Sequence, residues 1–318
     1  VETLTNLHGA VPRSRLAREI GERAARLAIE AGEWRVPWPG VLVPAARAVD
    51  PLALIGAATL FAGDDTVVCG RTAAWLYGCR ATEPLPVHLA VPYGRKPRRY
   101  DGLVVHNGRD LSPDRAEHLD LPVLALDRVL ADLLCRDHGP SAFAIYDEAL
   151  GLAEDAEALR AEVRHRIGTR VDRRGARRAG LLVELAGGRP RSPAESRLQF
   201  RIVDLGFPNP VLNHPLHDAT GRLLFLLDLA WPGLRIALEY DGHVAHSGRE
   251  SADADADRQR ELERRGYIVI RVTAADMKDI TRVEQELAAA FRLRGLPVRR
   301  TPGVLEARRH RDRGWSPR

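Results

Sequence analysis

Lysine is nearly missing from this chain. Only Lys96 and Lys278 stand among 48 Lys and Arg residues, so arginine carries almost all the positive charge. Alanine is abundant alongside it, a skew that genome base composition also produces, so charge alone is a weak argument for a polyanionic partner. Cysteine is scarce too. Cys69, Cys79 and Cys135 are odd in number and unevenly spaced, which excludes a disulfide frame or a cysteine-based zinc site and predicts buried thiols in a reducing compartment. No apolar run approaches the roughly 20 residues of a membrane helix. The start, VETLTNLHGA, has no basic stretch followed by an apolar core, so no secretory leader is expected and the cytoplasm is the expected location. No Gly-rich phosphate loop is present, since GVLVP and GRKP match neither a P-loop nor a dinucleotide fingerprint. No internal repeat is found.

What is there suffices for two or three folded domains: 318 residues, 45% of them hydrophobic. The net charge of +5 and sequence pI near 9.4 make nucleic acid the anionic partner to consider.

Five segments can be distinguished. Residues 1–47 read as a helix beginning at Ser14 and broken by Gly21, a second helix with Ala24, Leu27, Ala28 and Ala31 at helical spacing, and two extended runs around Pro39-Gly40. Helix, turn, helix, hairpin is the layout of a winged helix. Residues 48–140 read as α/β, with strands PVHLAVP and GLVVHNG flanking the basic loop of Arg95, Lys96, Arg98 and Arg99. That loop is either a nucleic-acid contact or a solvated hairpin tip. Residues 141–192 are alanine-rich and basic, a helical spacer or an exposed basic face. Residues 193–296 follow the order α-β-β-β-α-β-α. Residues 297–318 are polar and Pro/Arg-rich, and are expected to be a disordered basic tail.

The chemistry concentrates in the fourth segment. Asp228 interrupts an apolar strand, and Glu239 and Asp241 end the next one. Strand side chains alternate, so Glu239 and Asp241 share a face while Tyr240 takes the other. An antiparallel return through Pro232-Gly233 brings Asp228 toward Glu239. Carboxylates crowded in an apolar setting repel one another, and a divalent cation is the usual compensation. Hard oxygen donors favour magnesium or manganese, which can hold a phosphate oxygen and activate water for phosphodiester hydrolysis. The plainer alternative is that these acids are solvated strand ends, or pair with Arg222, Arg235, Arg258 or Arg260. His243 and His246 follow directly, and His243, nearer the carboxylates, is the candidate proton carrier. With His214 and His217 they also spell a four-histidine zinc possibility, which lacks the cysteine that structural zinc usually recruits. Ser192 and Ser196 flank Glu195 without a histidine–acid partner and read as helix caps.

Asp228-Leu-Ala-Trp-Pro followed by Leu-Glu239-Tyr-Asp241-Gly-His243 resembles the PD-(D/E)XK restriction-endonuclease-like superfamily, in its branch similar to very-short-patch-repair (Vsr-like) endonucleases. The resemblance spans about a hundred residues. It implies a helix glutamate at Glu195, a strand aspartate at Asp228, an E-x-D-G segment at Glu239, Asp241 and Gly242, and a D-R-x-R helix at Asp257, Arg258 and Arg260. A closing strand matches from Gly266 to Thr273. On this resemblance Asp228, Glu239 and Asp241 would bind Mg2+ or Mn2+, Glu195 would orient the ion or its water, and Arg258 or Arg260 would stabilise the phosphate. The lysine usual two residues after the glutamate is Asp241 here. That position adds a ligand but cannot supply positive charge.

Residues 1–47, from His8-Gly9 to Gly40-Val-Leu-Val-Pro44, resemble the winged-helix domain of AbiEi-family type IV antitoxins, and CGRTAAWLYG with the strands after it resembles the α/β region that follows. The resemblance implies major-groove contact by the second helix, with Arg23 and Arg26 as candidates and Arg35 on the wing. The wing is poorer in arginine than is usual there, so a packing or protein-binding module is the other reading. The expected whole is a multidomain α/β protein: an N-terminal winged helix, a middle α/β region and a C-terminal restriction-endonuclease-like αβββαβ core. Its expected role is that of a Mg-dependent DNA endonuclease. The alternative is a non-catalytic DNA-binding regulator or antitoxin-like protein with a cognate toxin as partner.

Overall fold

The computed structural model describes residues 7–93, 100–108, 111–241, 249–298 and 305, with the helical backbone but not the side chains of 249–256. The expected site residue His243, the neighbouring His246, the basic loop at 95–99 and most of the expected tail lie outside the described residues. The chain is a mixed α/β protein of two compact units, Val1–Leu133 and Leu134–Arg318, where the sequence distinguished five segments. No helix among the described residues is long and apolar enough to cross a membrane. All three cysteines are buried.

The first unit opens with β1 (Val11–Pro12), α1 (Arg13–Ile20), α2 (Glu22–Glu30), β2 (Trp34–Arg35) and β3 (Val41–Pro44). The strands form an antiparallel sheet in the order β1-β3-β2. Gly21 separates the two helices at φ 87, a conformation open to glycine. Val11, Leu16, Ala25 and Leu42 close a small core beneath them. The unit continues with α3 (Pro51–Ala62), β4 (Val67–Val68), α4 (Gly70–Leu76), β5 (Val87–Pro92), β6 (Leu103–Gly108), β7 (Arg115–His118), β8 (Leu121–Leu124) and α5 (Leu126–Arg136), the last running past the division between units. Asp50 caps α3 by accepting from the Leu52 N–H at 3.0 Å, with Pro51 in the first turn where its missing N–H costs nothing. The sheet order is β6-β5-β4-β8-β7. Strands β5 and β6 pair in parallel. The two strands are therefore not a hairpin pair, which would be antiparallel.

The second unit begins with α6 (Gly139–Leu152), α7 (Ala156–Thr169) and α8 (Ala176–Leu185). This is the stretch read as a helical spacer or an exposed basic face; it is helical, and Arg164, Arg173, Arg174 and Arg177 are exposed. Most of α6 is buried, because its alanines and Gly139 let it lie close against a neighbour; a Cβ on Gly139 would come within 2.6 Å of the Phe200 ring. Part of the basic run is spent on main-chain acceptors, while Arg164 and Arg174 pair with the carboxylates of Glu184 and Asp172. Arg160 donates to the carbonyls of Val183 and Ala186, Arg178 to those of Leu134 and Asp137, and Arg173 to those of Ile167 and Gly168. These guanidinium groups satisfy carbonyls that helix ends leave without partners.

The expected α-β-β-β-α-β-α order follows as α9 (Pro193–Asp204), β9 (Val211–His217), β10 (Leu223–Trp231), β11 (Ile236–Asp241), α10 (Arg249–Arg264), β12 (Ile268–Thr273) and α11 (Thr281–Leu293). The sheet runs β12-β11-β10-β9, with β11 and β12 parallel and the other pairs antiparallel. The large core lies on one face, where Leu229, Trp231, Ile236, Leu238 and Ile270 meet Leu198 and Ile202 of α9 and Val283, Leu287 and Phe291 of α11. On the other face Leu227, Ala230 and Ala237 meet Leu262 of α10. Within the expected tail, Leu305 is 3% exposed and its N–H donates to Asp204 at 2.7 Å.

Candidate functional site

The three acids expected to form a metal face sit around an irregularity in the sheet. In a regular strand, Leu227 and Leu229 would share a face. Here Leu229 belongs to the large core and Leu227 to the α10 side. Strand β9 reverses in the same way, since Leu212 packs in the large core and Leu216 on the other side. The pairs Leu227↔His214 and Leu229↔Leu212 bracket the rung of Asp228 and Asn213, so both strands change face there together. Asn213 takes φ 48, a left-handed conformation that asparagine tolerates better than most residues.

On its other side, β10 pairs with β11 from Trp231↔Ile236 to Leu229↔Leu238. Carried one step further, that register sets Asp228 opposite Glu239. Here the Asp228 carboxylate replaces a main-chain acceptor, and its Oδ2 takes the N–H of Tyr240 at 2.9 Å. Glu239, half-buried, accepts from Arg258 of α10 at 2.5 Å. The same Arg258 Nη2 donates to the Leu226 carbonyl at 3.0 Å, and its guanidinium carbon lies 5.2 Å from the Phe225 ring centroid. Asp228, Glu239 and Arg258 are thus brought together where the β10–β11 pairing ends. Asp241 is exposed at the end of β11, opposite Thr273 of β12.

Two other expected participants are engaged elsewhere. Arg260 is exposed and pairs with Asp257 on its own helix. Glu195 is 6% exposed and forms a reciprocal cap at the start of α9. Its N–H donates to the Ser192 hydroxyl at 3.3 Å, and its carboxylate accepts from that hydroxyl at 3.0 Å and from the Arg191 N–H at 2.9 Å. This is the capping-box arrangement. Asn213 donates to the same carboxylate at 3.1 Å, which ties Glu195 to the rung of Asp228. Ser192 is the cap expected of it. Ser196 is not a cap; its hydroxyl donates to Asp147 of α6 at 2.9 Å.

The donor set suits a hard divalent cation in kind, but not as arranged. One Glu239 oxygen already holds a guanidinium, and one Asp228 oxygen holds a backbone N–H. Among the described residues no group of three or more His, Cys, Asp or Glu side chains could hold a metal ion. The residues do not fit a divalent ion in this arrangement, and no step is derived through one.

Sequence reading missed Asn213 and Phe225. A polar residue amid the apolar β9 was a usable signal for the first. Nothing in the sequence joins Phe225 to Arg258, because that contact depends on how α10 crosses the sheet.

In the first unit, Arg23 and Arg26 are exposed on α2 and Arg35 is exposed on β2. Arg26 lies 3.8 Å from Glu30 on the same helix.

The fold and this cluster define a two-unit α/β protein with a mixed four-stranded sheet and an acidic cluster closed by an arginine. No family model matches the chain. The uncharacterized proteins MT2308 and Rv2248 of Mycobacterium tuberculosis are each 30% identical to it over 280 residues, covering 87% of this chain and 92% of theirs. The chain belongs to the family of these two proteins. A crystal structure of the RV2827C protein from Mycobacterium tuberculosis matches with a TM-score of 0.40 and 15% identity, over 66% of this chain and 83% of that one; no inference is drawn from that likeness.

Proposed function

We propose that the protein acts on DNA and that its second unit is a Vsr-like nuclease-fold domain; the Mg2+- or Mn2+-dependent phosphodiester hydrolysis implied by that reading would require Asp228 and Glu239 to be arranged differently, with Glu239 released by Arg258. The observation that carries this reading is the cluster itself. Asp228 and Glu239 come from neighbouring strands of a sheet whose order resembles the restriction-endonuclease-like core, and Arg258 reaches the same place from α10. A guanidinium beside two carboxylates is a suitable place to hold a phosphate. In this reading residues 1–47 form the antitoxin-like winged helix, which would position the chain on DNA through Arg23, Arg26 and Arg35.

The direct test is cleavage of plasmid and mismatched duplex DNA by the full chain with and without Mg2+. The expected result is metal-dependent cutting that Asp228→Ala abolishes. No cutting by the wild-type chain under any metal condition would remove the enzymatic reading.

A second reading is favoured by one observation, the engagement of Glu239 by Arg258 at 2.5 Å. In it the nuclease fold is a scaffold for a non-catalytic DNA-binding regulator or an antitoxin-like partner of a toxin; a fold outlasts its chemistry. DNA binding by the full chain across a salt series tests it. Replacing Arg23, Arg26 and Arg35 together by alanine should flatten the log–log salt slope by about 0.9 per lost phosphate contact. An unchanged slope would take these arginines out of the interface.

A further inference from the structure

We propose that the turn between α8 and α9 is a DNA-backbone grip, in which Arg189 and Arg191 bind phosphates of the duplex beside the rung of Asn213 and Asp228. The proposal rests on the DNA-acting reading above and adds where the second unit touches the nucleic acid.

The main chain of this turn is pinned along its length. The N–H groups of Gly187 and Gly188 donate to Asp147 of α6 at 3.0 and 2.7 Å. The Arg189 carbonyl accepts from Asn213 of β9 at 2.8 Å, and the Arg191 N–H donates to Glu195 of α9 at 2.9 Å. Gly188, at φ 65, approaches α6 so closely that a Cβ would come within 3.1 Å of Leu150. Pro190, between the two arginines, fixes its own φ. Ordering this segment therefore adds little to the cost of binding a ligand there.

The side chains stand outside that network. Arg189 and Arg191 are exposed, and neither guanidinium has a hydrogen-bond or ion-pair partner among the described residues. Two carboxylates lie against the turn, but Asp147 and Glu195 give their oxygens to main-chain, hydroxyl and amide donors. In the helices just before, Arg160 and Arg178 are held by carbonyls, and Arg164 and Arg174 by carboxylates. An anion that reaches Arg189 or Arg191 displaces no internal partner. A phosphodiester is an anion whose two non-bridging oxygens suit a guanidinium fork. The position is also specific. Asn213, which holds the Arg189 carbonyl, donates to Glu195 and shares the rung of Asp228. A phosphate gripped here lays the duplex beside the cluster of Asp228, Glu239 and Arg258, and the two acids take no part in holding it.

Binding of a short fluorescent duplex by the full-length chain, read by anisotropy across a salt series, tests the grip. Replacing Arg189 and Arg191 together by glutamine should weaken binding and flatten the log–log salt slope by about 0.9 for each lost contact, about 1.8 in all. Arg189→Lys with Arg191→Lys keeps both charges and should keep the wild-type slope. Arg177→Gln removes another exposed charge without a partner among the described residues, at the far end of α8, and should leave the slope unchanged. A wild-type slope in the glutamine pair overturns the proposal. So does equal flattening by Arg177→Gln, which would reduce the effect to net charge. A glutamine pair that binds duplex as wild type does but loses binding to polyglutamate also overturns it, and makes the partner an acidic protein. Both side chains lack internal partners, so the urea midpoint should not move; if it does, each single glutamine variant is read in the same way, with a flattening of about 0.9 expected. The two readings fail separately. Duplex binding with a slope indifferent to Arg189 and Arg191 keeps the DNA-acting reading and removes the grip, whereas absence of duplex binding at low salt removes both.

Discussion

Two acids in the second unit are treated in opposite ways. Asp147, on α6, is fully buried and has no guanidinium in its hydrogen-bond shell. It accepts from the N–H groups of Gly187 and Gly188 at 3.0 and 2.7 Å and from the Ser196 hydroxyl at 2.9 Å. Glu239, on β11, is partly exposed and held by a guanidinium. Three fixed neutral donors from two chain segments make Asp147 a clasp that joins α6 to the turn before α9 and to α9 itself. Glu239 instead rests on one guanidinium, that of the partly exposed Arg258. The two acids therefore differ in the kind of partner: fixed neutral donors for Asp147, a single partly exposed guanidinium for Glu239.

The largest expected effect breaks the clasp. Asp147→Ala takes the acceptor from three donors, of which the Ser196 hydroxyl is buried and the Gly187 and Gly188 N–H bonds are part-buried, so a loss of about 2–4 kcal/mol in urea unfolding is expected. A loss under about 1 kcal/mol would erase the contrast with Glu239.

Asp276, at the end of β12, sharpens the comparison because it combines both kinds of partner. It accepts from the Thr273 N–H and hydroxyl at 2.8 and 2.7 Å and pairs with Arg282 at 2.7 Å. The Arg282 guanidinium holds its carboxyl well below the usual carboxylate range, whereas burial pushes that of Asp147 up, against the pull of its donors. The signs differ accordingly. Stability contributed by Asp276 is present above the unfolded value near 3.9 and is lost as pH falls through its lower folded value. The cost of charging Asp147 is present above its raised folded value and is relieved as pH falls through it. Asp276→Asn should therefore cost about 1–3 kcal/mol at neutral pH, and the gap to wild type should close as pH falls below the carboxylate range. A gap independent of pH would show that the contribution is not electrostatic.

The smallest effect concerns the neighbour of Asp147. The Tyr146 hydroxyl is buried without a hydrogen-bond partner among the described residues, and burial pushes its pKa up to about 12. Tyr146→Phe removes an unsatisfied group and nothing else, so thermal unfolding should be unchanged or raised by up to about 1 kcal/mol in stability. A clear loss would mean that the hydroxyl has a partner.

The element order of residues 193–296 was legible because strand alternation and helical spacing are local signals. So was the face shared by Glu239 and Asp241. The burial of α6 was not legible, since an alanine-rich helix with charged neighbours looks the same whether it is solvated or pressed against Phe200. Nor were the roles of Glu195 and Arg258. The four residues Ser192–Glu195 spell a capping box as readily as a nuclease glutamate, and the pairing of Arg258 with Glu239 depends on a helix crossing that no spacing encodes. The arginine run at 160–178 was legible only in part: its charge suggested a surface, and Arg164, Arg173, Arg174 and Arg177 are exposed, but the bonds of Arg160 and Arg178 to carbonyls within the unit had no signal in the spacing.

The paired change of face at Asn213 and Asp228 has a consequence for how this domain can vary. An insertion or deletion in β9 alone would shift its rung away from that of β10, and every residue beyond it would trade a core face for the α10 face. Length changes in these two strands are tolerable only when they are matched, so among relatives the segments from 211 to 217 and from 223 to 231 should gain or lose residues together or not at all, while the turn between them is free to drift.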